Sequence, residues 1–130
     1  MKRTHGFTVI EIIVVILFLS VATSVLLIQK NNLAATHRDD QRKTAINAIY
    51  YTLEEVHFAE HGSYPSQITS KTLPALDPAL LTDPNGITIG ETGADYHYEG
   101  SNCDNTTCQS YTLRAELEKE ADFIKTDASD

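Results

Sequence analysis

The sequence predicts an α+β protein in which one long N-terminal helix, apolar at first and amphipathic later, packs on a small antiparallel sheet. Three observations carry this prediction. The run from Phe7 to Ile28 holds a single charge, no Gly or Pro occurs from Lys30 to His61, and alternating apolar residues appear only after Asn85.

The run FTVIEIIVVILFLSVATSVLLI is twenty-two residues long. As a helix it covers ~33 Å, enough to cross the hydrocarbon of a bilayer. Lys2 and Arg3 precede it, and basic residues beside a first span hold that end in the cytoplasm, so the remainder is exported. A cleaved secretory signal is the obvious competitor. Its apolar region, however, is about 7–15 residues and ends in a small-residue site, whereas this run passes without a break into polar helix.

The single charge is Glu11. A carboxylate one turn into a span could sit near the interface or be protonated. Its setting is more particular: a short basic leader, then Gly6, the bulky Phe7, Thr8, Val9, Ile10 and Glu11, then unbroken apolar helix. In these residues the chain resembles the type IV pilin superfamily, with the prepilin peptidase motif G|FxxxE of a class III signal peptide. The resemblance implies cleavage between Gly6 and Phe7 by a prepilin peptidase, N-methylation of the new Phe7 amine, and assembly through Phe7 and Glu11 into a homo-oligomeric helical filament. It also implies an inner-membrane assembly platform as partner and an extracellular pilus as destination. The chemistry is coherent, because a carboxylate in hydrocarbon is tolerable chiefly when paired with a cation such as the Phe7 ammonium of another subunit. Losing Lys2 and Arg3 with the leader would take the formal charge from −8 to −10. Gram-negative pilins usually carry Gly and Pro within this helix; here the matching positions are Ser20 and Ile28.

Beyond Ile28 the helix is expected to continue to about His61, with Ile46, Ile49, Leu53 and Val56 forming one apolar stripe. Gly62 supplies a C-cap and Pro65 a second stop. The G-x-Y-P turn that often closes this helix in the family is carried by Gly62, Ser63, Tyr64 and Pro65. Residues up to Asn85 are loop-like, ending in the turn signal Asp83, Pro84, Asn85, Gly86. Strand alternation is read at Ile87 and Ile89, at Tyr96 and Tyr98, and at Tyr111, Leu113, Ala115 and Leu117, which predicts three antiparallel strands. The polar tail from Lys119 to Asp130 is expected to fray. The implied organisation is a leader (1–6), a transmembrane or filament-core helix (7–28), its amphipathic continuation (29–61), a head (62–118) and a tail (119–130).

Cys103 and Cys108 flank DNTT between two strand candidates. In an exported domain they read as a disulfide more readily than as free thiols or a metal site. Asn105, Thr106 and Thr107 form a sequon that carries little weight alone.

The acidic balance disfavours direct nucleic-acid binding. His57, Phe58, Ala59, Glu60 and His61 match H-x-x-E-H, which sets two imidazoles one turn apart. A zinc enzyme needs a third ligand and a sheltered open position, so no catalytic residue, metal or cofactor is assigned. The adjacent pairs Asp39–Asp40 and Glu54–Glu55 read as solvated helix faces, and Arg38, Arg42 and Lys43 as surface or intersubunit ion-pairing residues. The sequence thus predicts a non-enzymatic filament subunit of a type IV pilus. A pseudopilin of a secretion or competence system, and a monomeric single-pass membrane protein with a binding head, are the alternatives.

Overall fold

The computed structural model describes residues 7–128, so the leader residues Met1 to Gly6, with Lys2, Arg3 and the Gly6 side of the cleavage motif, lie outside the described residues. Helix α1 runs from Val9 to Tyr51 and is followed without interruption by a π-helical segment, Thr52–Phe58, and a short α2, Ala59–His61. The run ends at Gly62, whose φ of 67° is the left-handed conformation expected of a C-capping glycine. By contacts the chain divides after Ala35 into two compact units.

In the first unit the helix is rich in Ile and Val, residues that gain little from helix formation in water. In hydrocarbon the helix satisfies every backbone group internally, and that requirement overrides propensity. The few hydroxyls obey the same rule: Ser20 Oγ donates to the Leu17 carbonyl at 2.8 Å, Thr23 Oγ1 to Leu19 at 2.8 Å, and Ser24 Oγ to Ser20 at 2.9 Å. The helix is long and apolar enough to cross a membrane, and none of its most apolar stretch is buried.

The second unit is an α+β head in which the helix from Thr36 onward packs on a small antiparallel sheet. The sheet has four strands: β1 (Tyr64–Pro65), β2 (Tyr96–Cys103), β3 (Thr107–Ala115) and β4 (Phe123–Thr126). β3 pairs with all three others, with Tyr98 opposite Leu113 on one side and Arg114 opposite Ile124 on the other. Ile46, Ile49 and Leu53 from the helix meet Tyr96, Tyr111, Leu113 and Ala115 from the sheet in one core. Leu73, Leu76 and Leu81, the last from a 3₁₀ turn at Pro78–Leu81, close its flank.

Four expectations are corrected. Ile87 and Ile89 do not form a strand; a single bridge joins Thr82 to Thr88. Gly86 and Gly90, both at φ 87°, bracket three residues and leave no length for a ladder. The tail is not frayed through residues 123–126: these form β4, with Phe123 against the core, because the far edge of β3 would otherwise present unpaired amides. β1, which the turn reading at Tyr64 and Pro65 omitted, adds a further strand, so the sheet has four and not three. Val56 does not extend the stripe. It is exposed, because the wider turn of the π-helical segment rotates it away after Leu53.

The two cysteines are bonded and face each other across β2 and β3, with Cα atoms 3.9 Å apart. Closing so short a loop stabilises the head by about 2 kcal/mol in the chain-entropy model. Gly100 fits beside them because a Cβ there would collide with the Cys108 sulfur and crowd that of Cys103.

Candidate functional site

Phe7 is three-quarters exposed and stands two residues before the first residue of the helix. Thr8 and Glu11 open the first turn as a reciprocal pair. The Glu11 amide donates to Thr8 Oγ1 at 3.4 Å, and the Thr8 amide donates to Glu11 Oε2 at 3.5 Å. This is a capping box, T-x-x-E, drawn at long distances. It was legible as a Thr followed three residues later by Glu. The carboxylate therefore has a local partner within its own chain, at the end where the helix dipole favours negative charge. Those two bonds are long and exposed, so the carboxylate remains available to a stronger cationic partner. Around it Val9, Ile10, Ile13, Ile16 and Leu17 are exposed and apolar.

The head contains a charged centre that sequence reading missed. Counting back from Ile46 by four and three along the stripe reaches Arg42 and Asp39, and both are only 2% exposed. Arg42 Nη1 donates to Asp39 Oδ1 at 2.9 Å and to Glu118 Oε1 at 2.9 Å, while Nη2 donates to Asp95 Oδ2 at 2.7 Å. Asp39 in turn accepts the amides of Glu118 and Lys119, each at 2.9 Å. Arg38 adds a two-pronged pair to Glu118 at 2.7 and 2.6 Å. The expectation of solvated carboxylates and weak surface ion pairs is therefore corrected at Asp39 and Arg42, a buried i,i+3 pair whose further partners, two amides for Asp39 and two carboxylates for Arg42, come from far along the chain.

The electrostatics follow the geometry. Burial alone would raise the Asp39 carboxyl, but two backbone amides and Arg42 hold it below the usual range. The guanidinia of Arg38 and then Arg42 push Glu118 down to about 2. Burial opposes the charge on Arg42, and the carboxylates of Glu118 and Asp95 outweigh it, raising its pKa. Asp83, in the Asp83–Gly86 turn, accepts amides from Asn85, Ile87 and Asp95 at 2.9 Å, which lower its carboxyl against the opposing effect of burial. With its carboxylates paired in this way the centre offers no free general acid or base; it clamps the helix to the 83–95 loop and to the segment after β3.

Glu54 is corrected in the same way. It accepts the hydroxyl of Tyr111 at 2.8 Å and that of Tyr64 at 3.1 Å, at the edge of an aromatic cluster that includes Phe58 and Tyr98. Burial and then Glu54 raise the Tyr111 phenol well above its ordinary value. His57 and His61 stack with ring centroids 4.4 Å apart. No group of three or more metal-ligating side chains occurs among the described residues. Comparison with family models, characterised proteins and solved structures returns no match.

Proposed function

We propose that this chain is a structural filament subunit resembling type IV pilins, cleaved between Gly6 and Phe7 and assembled through its N-terminal helix. The observation that carries the reading is the lone carboxylate of Glu11 in the first turn of an exposed apolar helix, directly after the Gly6–Phe7 junction. A monomeric membrane anchor gains only a helix cap from that residue. A filament gains a partner for the Phe7 ammonium of a neighbouring subunit, and the pair sets register between staggered helices. The head supplies a folded body with its own core, and the apolar helix supplies the surface that is buried either in lipid before assembly or among other helices after it.

The test joins two measurements. The mature protein, by intact mass, begins at Phe7, with one methyl added on its amine. Glu11→Ala leaves membrane level and leader removal unchanged but yields few or no filaments, because an orphaned ammonium in the bundle costs about 3–5 kcal/mol per subunit. Glu11→Asp is milder. A mature chain retaining Met1 to Gly6, or normal filaments from Glu11→Ala, overturns the reading.

A further inference from the structure

Asn85 is the only asparagine in the chain that is followed by glycine. In that dipeptide the side chain has a reaction open to it in plain water. The backbone nitrogen of the glycine, stripped of its proton, attacks the asparagine Cγ; a C–N bond forms, the Cγ–Nδ2 bond breaks and ammonia leaves. Water then opens the succinimide at either carbonyl, giving aspartate, or isoaspartate with one more carbon in the main chain. Glycine hastens the attack because it has no Cβ to obstruct the approach.

The turn at residues 83–86 holds both reacting groups. The Gly86 amide donates to the Asp83 carbonyl at 2.9 Å, so its proton is engaged and its nitrogen is not free to attack. The Asn85 side chain is exposed, yet its Nδ2 donates to Asp95 Oδ2 at 2.8 Å. That same oxygen accepts Arg42 Nε at 3.0 Å and Nη2 at 2.7 Å, so Asn85 is an outer tie of the charged centre. Asp83 Oδ1 takes the Asn85 and Ile87 amides, each at 2.9 Å, and Oδ2 takes that of Asp95 at 2.9 Å. The ring closes only after the bonds on Gly86 and Asn85 have opened. Once it has closed, they do not return. Aspartate there sets a second carboxylate against Asp95 Oδ2, in place of an amide that gave a proton. The like charges compete for Arg42, which already holds Asp39 and Glu118. Isoaspartate lengthens the main chain between Asp83 and Ile87, whose amide must reach back to the Asp83 carboxylate.

We propose that Asn85 is a site of spontaneous modification, protected while the 83–95 loop is clamped and deamidated by water when the loop opens. A transient opening of the loop thereby becomes a permanent loss of the clamp. None of this depends on filament assembly.

The experiment incubates the full chain, disulfide intact, in detergent micelles at mildly alkaline pH, with and without enough urea to unfold the head. Mass spectrometry of the digest follows conversion at Asn85, and the other asparagines serve as internal controls. In urea Asn85 should be converted ahead of the others. In the folded chain its conversion should be at least about tenfold slower than in urea, because only the opened loop reacts. Two variants then test the consequence. Asn85→Asp reproduces one product, and Asn85→Ser removes the same amide without adding a charge. Asn85→Asp should melt at least about 4 °C below Asn85→Ser. Equal rates with and without urea, no conversion in either, or an Asn85→Asp chain that melts no lower than Asn85→Ser overturns the proposal. An Asn85→Asp chain too unstable to fold meets the last expectation, and the wild-type rates decide the first without any variant.

Discussion

Two stretches of the same helix solve opposite problems. From Val9 to Leu33 the apolar side chains point all round and remain exposed, Leu17 at 61% and Phe18 at 73%. From Asp39 to Leu53 the apolar residues occupy one stripe, and Ile46, Ile49 and Leu53 are wholly buried. Burying one Leu or Ile side chain is worth about 1.5–3 kcal/mol, so the first stretch forgoes a large stabilisation as long as it faces water. It is long and apolar enough to cross a membrane. The second stretch has found its partners within the chain, and its polar residues follow suit: Arg42 and Glu54 bind groups that lie 53 to 76 and 10 to 57 residues away. An exposed apolar face in one unit and a satisfied charged centre in the other are both consequences of where partners are available.

The sharpest break of this contrast is Arg42→Ala. It leaves Asp39 buried without its cation, and the head should lose about 3–5 kcal/mol, read as a fall in melting temperature of the full chain in detergent micelles. Leu17→Ala is the matching change in the other stretch. It should move the same melting transition by less than about 0.5 kcal/mol, because it removes no contact within the head. Similar losses from both substitutions would show that the two units do not behave independently.

Acid provides a gentler probe of the same centre. The folded carboxyls of Glu118, Asp39 and Asp83 all bind protons less tightly than they do when unfolded. Their contribution is therefore present above the unfolded range and is lost as pH falls through the folded values. For Glu118 that window runs from about 4.5 to about 2. Melting temperature should be flat above this window and decline through it, and Glu118→Gln should flatten part of the decline. A transition unchanged down to pH 2 would separate the clamp from stability.

The smallest effect is expected where the ion pair is most exposed. Lys43 Nζ lies 2.7 Å from Glu120 Oε2, but Glu120 is 61% exposed and the pair is screened. Lys43→Gln should lower the melting temperature far less than Arg42→Ala does, and that shift should shrink in high salt. A loss comparable to that of Arg42→Ala would mean that distance alone, and not burial, ranks these pairs.

What could be read from the sequence was set by local chemistry. A run of apolar residues without Gly or Pro makes a helix regardless of its neighbours, and Gly62 ends that helix because only glycine adopts the left-handed cap without penalty. Asp83 to Gly86 turns for similar reasons, and Cys103 and Cys108 meet because the chain between them is short. Tertiary structure decided the rest. Asp39, Arg42 and Glu54 look like solvent-facing charges until a loop, two strands and the segment after β3 arrive beside them. Residues 123–126 look like a polar tail until the open edge of β3 offers hydrogen bonds. Burial of a charge depends on a partner whose distance in sequence leaves no periodic trace, which is why the helix, its stop and its turns were legible and the clamp was not.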